Sequence, residues 1–273
     1  MWRGLYTAAA GMIQETQRTD VIANNLANVN TSGYKRNVAV SEEFEPMLIR
    51  RINDHDMRND VTSFKGFSLG GNPPVVGTLG LGSEIAEIAT DHEQGVFETT
   101  GNPYDIAISG AGYLAVQTPQ GVRYTRDGAM IRSATGQLQN MRGQAILGTN
   151  GQPIMIPANA TDVVINENGQ ILARVPGQDA HQQLGQLALV DFADRRALLK
   201  QGDNLWFPQQ GAQPQAATGT IEQGVLERAN SNVVDEMVQL INNYRIYEAG
   251  SKAVTTQDDM LDKSVNEVGR STS

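Results

Sequence analysis

Apolar positions recur with a helical period at both ends of this chain, and with strand-like alternation between Gly-marked turns in the middle. Over residues 3–29, Leu5, Met12, Thr19 and Leu26 repeat every seven residues, with Trp2, Ala9, Thr16 and Ala23 as a second row. Two such rows form one stripe on a helix. Its small residues permit close helix approach but bury too little area to hold a lone helix in water. Asn30, Ser32 and Gly33 supply the stop. Residues 226–268 predict a longer helix. Val233, Met237, Leu240, Tyr244, Tyr247, Ser251, Val254, Asp258, Leu261, Val265 and Val268 alternate in steps of four and three, a heptad seam weakened at Ser251 and Asp258. Ser231 or Asn232 is the expected N-cap, with Asp235 and Glu236 in the favourable first turn. A terminal helix could lie on the chain's own domain. The narrow stripe favours mutual pairing of the two ends, within or between subunits.

Between the helices the pattern changes. Phe44, Met47, Leu48, Ile49 and Ile52 fit a helix or a strand. Gly66–Gly82 is rich in glycine with a Pro-Pro pair, so it is expected to be extended or looped. Residues 95–225 read as a β module. Ile106 and Ile108 alternate, Gly110 and Gly112 lead into YLAVQT, and Asp127-Gly128 ends a short run from Tyr124. Asn150-Gly151 and Asn168-Gly169 are hairpin signals, because Asn and Gly tolerate positive φ. Residues 184–193 predict one further strand through Leu187, Leu189 and Phe192. Short strands and tight turns without intervening long helices point to an antiparallel domain. The fold class expected is therefore mixed α and β, with paired terminal helices and a central antiparallel β-rich domain.

Composition narrows the chemistry. The chain has 273 residues, enough for one large domain or two modest ones. Its net charge of -9 and lack of a compact basic run argue against nucleic-acid or anionic-membrane surfaces. There is no cysteine, which excludes disulfides and a thiol nucleophile and suits an exported chain. No run of 18 apolar residues spans a membrane. The first apolar patch breaks at Gln14 and Glu15, too short for a cleaved signal sequence. His55, His92 and His181 lack metal-site spacing, so no metal or other cofactor is expected. Gly77, Gly80 and Gly82 lack the context of a phosphate loop. Asp91, Asp105 and Asp127 sit near turns, where Asx-type bonds explain them without catalysis. Ser109 precedes no nucleophile elbow, and Asp258 and Asp259 point about 100° apart on a helix.

Three segments carry a resemblance. DVIANNLANVNTSGYKR from Asp20 to Arg36, with GLYTAAAGM before it, resembles the N-terminal signature of bacterial flagellar rod and hook proteins. TGNPYDIAISGAGYLAV and YTRDGAM resemble the start of that family's β domain, and EMVQLINNYRIYEAGSKAVTTQDDML its closing helix. The resemblance implies a non-enzymatic subunit whose terminal helices pack with those of neighbouring copies into a tube, with the β domain outside. It implies self-association, contacts with other rod and hook proteins and with surrounding rings, and export to the basal body without a cleaved signal. The ending SKAVTTQDDMLDK resembles the distal rod type, while MWRGLYTAAAGM is also common in the proximal type. Tyr34 stands where the family often has Phe, and Arg228-Ala229 departs from its usual lead-in.

On this reading residues 1–36 and 226–273 form the helical assembly domain, 37–90 a linker arm and 91–225 the outer β domain. The expected assembly interface is Leu5, Met12, Ile22, Leu26 and Val29 with Val233, Met237, Leu240, Ile241, Tyr244, Tyr247, Val254 and Leu261. A wall-cutting enzyme would need paired acids or a nucleophile in context, and neither is found. A free β-domain adhesin would leave the long paired ends unexplained.

Overall fold

The computed structural model describes residues 2–50, 63–64, 67–68, 75–176, 180–209 and 211–266. Two long terminal helices pack together, and the chain between them forms an antiparallel β-rich domain. Helix α1 runs Trp2–Ala27 and helix α2 runs Val233–Asn266. Asn232 is the N-cap of α2: its Oδ1 accepts the Val234 amide at 2.9 Å. The helix starts later than its periodicity predicts, because Val225–Glu227 is a strand paired with Phe97–Thr99. Chain contacts divide the molecule into two compact units, one of Met1–Asp20, Ala39–Ile88 and Leu240–Ser273, the other of Val21–Val38 and Ala89–Gln239.

In the first unit, α1 and α2 meet through polar and small groups. Asn243 Nδ2 donates to the Glu15 carbonyl and to Thr19 Oγ1, both at 2.6 Å. Gly250 lets Met12 approach, and Gly4 faces Gln257. One row of each expected seam faces inward apart from Tyr247, which is exposed: Leu5, Met12 and Thr19 on α1, and Leu240, Val254 and Leu261 on α2 are half-buried. The second row is displaced by one residue. On α1 it is Ala8 and Glu15, with Ala9 and Thr16 exposed. On α2 it is Asn243, Gly250 and Gln257, with Tyr244 and Asp258 exposed. Periodicity placed apolar side chains in that row, but backbone-directed amide bonds and glycine contacts occupy it. The segment after α1 is strand: Met47–Arg50 pairs antiparallel with Val75–Leu79. Ile52, Gly66 and residues 69–74 lie outside the described residues, and the described part of 66–82 is extended at Phe67–Ser68 and Val75–Leu79.

In the second unit the largest sheet has nine strands. Its path runs Met130–Arg132, Leu138–Asn140, Ala145–Ile146, Tyr113–Thr118, Gly121–Thr125, Leu205–Pro208, Leu198–Gly202, with Leu189–Phe192 also on Tyr113–Thr118 and Pro214–Ala216 on Leu189–Phe192. Asn168-Gly169 closes the expected hairpin between Thr161–Ile165 and Gln170–Arg174, with Gly169 at φ 77°. Residues 184–193 are two strands instead of one. Gln182–Gln186 pairs with Gln170–Arg174, whereas Leu189–Phe192 joins the larger sheet. The bonds of Leu187 N to Gly169 O and Ala188 N to Leu147 O carry the chain across. Ile106, Ile108, Leu114, Val116, Ile146 and Ile171 centre the main core, and Tyr113, Phe192, Leu198 and Trp206 form a second.

Candidate functional site: the terminal helices and a buried charge cluster

Because polar groups fill the intrachain seam, apolar side chains of α2 are left outside. Met237, Ile241 and Tyr244 are 48%, 53% and 57% exposed, and Val234, Val238, Ile246 and Tyr247 are exposed too. Positions 234, 238 and 241 have stripe spacing on a helix, so a second apolar face was available to periodicity analysis and was missed. On α1, Tyr6 and Ile13 are exposed. Ile22 is buried, while Leu26, Val29 and Val233 are half-buried. The expected interface residues thus divide into inward-facing and outward-facing sets. Runs of large exposed apolar side chains are uncommon on monomers and mark contact surfaces.

Within the second unit the quoted motifs converge on a buried charge cluster. Glu227, just before α2, accepts Lys35 Nζ on Oε1 at 2.7 Å and Arg126 Nε on Oε2 at 2.8 Å. All three side chains are at most 5% exposed. Arg126 also donates to the carbonyls of Ile108, Gly110 and Gly112, and Lys35 to that of Glu93. Burial pulls the Lys35 ammonium down, and the Glu227 carboxylate opposes this. Gly33, at φ +63°, brings its backbone so close to Arg126 that a Cβ would sit 2.4 Å from the Arg126 carbonyl. Sequence spacing cannot show this cluster, because Lys35 and Glu227 are 192 positions apart.

Other singled-out residues have local duties. Asp91 and Asp127 accept the amides two residues on, from Glu93 and Ala129. Asp105 accepts Thr100 Oγ1 and Asn102 Nδ2. The Tyr34 hydroxyl donates to Asn24 Oδ1 at 2.8 Å, a bond Phe could not make. Burial pushes the Tyr34 phenol up to about 12, helped by Glu236. His92 meets the Tyr113 hydroxyl at 2.8 Å beside Trp206, and burial holds its pKa near 4, with Arg195, Lys35 and Lys200 adding to it. His181 contacts Asp162, and His55 lies outside the described residues. No group of three or more potential metal ligands occurs among the described residues. No helix among them is long and apolar enough to cross a membrane.

The chain aligns with known proteins along nearly its whole length. Three family profiles match in order: flagella basal body rod protein over residues 5–35, flagellar hook protein FlgE/F/G D1 domain over 107–173, and flagellar basal body rod FlgEFG protein C-terminal over 222–267. The flagellar basal-body rod protein FlgG of Agrobacterium fabrum is 34% identical, covering 94% of this chain and 96% of that protein. FlgG of Bacillus subtilis is 33% identical over 97% of this chain and 99% of its own length. The flagellar hook-basal body complex protein FlhO of Bacillus subtilis is 29% identical over 99% of this chain and all of its own. The matched ends coincide with the paired helices and the middle match with the β domain, so the chain belongs to the flagellar basal-body rod and hook protein family and is a non-catalytic structural subunit.

Proposed function

We propose that this subunit builds the distal part of the rod, as one copy in a helical tube that transmits torque and walls the export channel. The observation that carries the reading is the outward apolar face of α2, with Met237, Ile241 and Tyr244 each about half exposed. A polar seam fixes the helix pair inside the chain and leaves that face for neighbouring copies. Contacts between unlike faces propagate as a helix when they do not close a ring. The assembly domain, residues 1–36 with 226–273, supplies these contacts, together with the inward-facing Leu5, Met12 and Leu240 that hold the pair. The arm at 37–90 lies across a neighbour and limits sliding. The β domain at 91–225 forms the outer layer and meets adjoining rod, hook and ring proteins. The location is the basal body outside the cytoplasmic membrane, reached by export without a cleaved signal. The rod names of the FlgG relatives support a rod position; the second reading is a proximal-rod subunit or, with less support, a hook-type one, and the hook-basal body name of the FlhO relative fits either.

Cryo-electron microscopy of isolated basal bodies tests this directly. The expected result is density for this chain in the rod segment nearest the hook, with α2 facing a neighbouring copy. Density confined to the proximal rod selects the second reading. Absence from the rod and hook refutes both.

A further inference from the structure

A cleft of about 340 Å³ opens in the second unit, beside the end of α1 and the turn that joins Leu198–Gly202 to Leu205–Pro208. Asn24, Asn37, Arg142, Lys200, Asp203 and Asn204 contribute to its lining. Its size suits a small ligand or an inserted side chain. The charges in it do not balance. Arg142 is paired with Asp203, which leaves Lys200 as a cation without a carboxylate among the described residues. Lys200 Nζ donates to the Lys35 carbonyl and to Asn37 Oδ1, and lies 4.6 Å from the Tyr34 ring centre and 5.2 Å from that of Trp206. Carbonyl oxygens and ring faces soften the charge but do not neutralise it. Burial holds the Lys200 ammonium down to about 8, with no carboxylate acting against it.

Two amides of the lining have their oxygens already engaged. Asn37 Oδ1 accepts from both Lys200 and Thr90, so the other amide atom is the Nδ2 donor, which has no partner among the described residues. Asn24 uses its oxygen for the Tyr34 hydroxyl. One unmatched positive charge beside open amide donors fits a planar anion of single charge. A doubly charged phosphate would exceed the available charge.

We infer that the cleft bounded by Lys200, Asn37 and Asn24 is a carboxylate-binding site. The carboxylate is either an acidic side chain of a second copy of this chain or a free organic acid. Asp and Glu outnumber Lys and Arg in this chain, 30 to 21, so acidic side chains are plentiful on any neighbouring copy. The site stands on its own geometry, and only the second-copy source rests on the assembly reading above.

The test follows the ε-carbon of Lys200 by NMR in the full chain carrying isotope-labelled lysine. The probes are N-acetyl-L-glutamate, D-glucuronate and the uncharged N-acetyl-L-glutamine. Either acid should raise the Lys200 titration from about 8 toward the ordinary lysine range, and the glutamine analogue should not. Lys200→Met should abolish the response of neighbouring resonances. Asn37→Asp guards against a folding effect: it places a carboxylate against Lys200, so the titration should rise without probe and the probe should no longer bind. A Lys200 value that climbs with protein concentration, and that N-acetyl-L-glutamate prevents from depending on it, identifies a second copy as the source. Probe binding with no concentration dependence identifies a free acid. A titration unmoved by both acids and by concentration overturns the inference. Tyr244→Asp protein that cannot assemble should still bind the probe, so failure of the assembly reading is separable.

Discussion

Glu227 holds two cations in the interior, so its loss should be costly. Glu227→Gln keeps the shape but leaves Lys35 and Arg126 without their carboxylate. Breaking a buried ion pair from one side costs about 3–5 kcal/mol. Urea unfolding should show that loss, whereas exposed Glu222→Gln should change stability by less than about 0.5 kcal/mol. His92 sets a pH dependence. Its folded value is about 4 against an ordinary 6.5, so the unfolded chain binds the extra proton between them. Stability contributed by the neutral, buried ring is therefore present above pH 6.5 and lost as pH falls toward 4. Asp127 and Glu236, raised by burial, act with the opposite sign, and Asp91, lowered, acts below this window. The readout is thus the difference in urea midpoint between wild type and His92→Gln. That difference should shrink from pH 6.5 to 4, and a constant difference would contradict the neutral ring.

At the scale of elements, the helix pair and the β core are held by different forces. The β core buries Ile106, Leu114, Ile146 and Trp206 almost completely. The helix seam buries Glu15, Glu236 and Asn243, and Oε2 of both Glu15 and Glu236 lacks a hydrogen-bond partner among the described residues. Apolar burial contributes roughly 25 cal/mol per Å², while a net internal hydrogen bond adds only about 1 kcal/mol and a buried orphan oxygen subtracts. Hydrogen exchange on dilute monomer should therefore be fast through residues 1–30 and 235–266 and slow in the strands Tyr113–Thr118 and Leu205–Pro208. Equal protection in both regions would show that the seam is stronger than its composition implies.

For the whole molecule, the decisive property is which apolar groups the fold leaves uncovered. Tyr244→Asp puts a charge on a side chain that is 57% exposed in the single chain. Its melting temperature should stay near wild type, since exposed positions shift stability by about 0.5 kcal/mol or less. In the assembled tube the same charge would be buried against a neighbour, at a cost of several kcal/mol. The expected phenotype is a folded, exported subunit that builds no rod, scored by electron microscopy and swimming. Normal rods from that variant would place the contact face elsewhere.

Both helices, the β-rich middle, the Asn168-Gly169 hairpin and the Asn232 cap were legible in the sequence, since each depends on local periodicity or on the φ and hydrogen-bonding preferences of single residues. One row of each helix seam was legible too, at Leu5 and Met12 and at Leu240, Val254 and Leu261. The other row was not. A heptad pattern ranks positions by apolarity, and it cannot know that Asn243 will reach the Glu15 carbonyl or that Gly250 will admit Met12. The split of residues 184–193 between two sheets, the Glu227 cluster and the cleft at Lys200 share that origin. Each joins side chains or strands remote in sequence, and only chain folding decides which of them meet and which polar atoms are left without a partner.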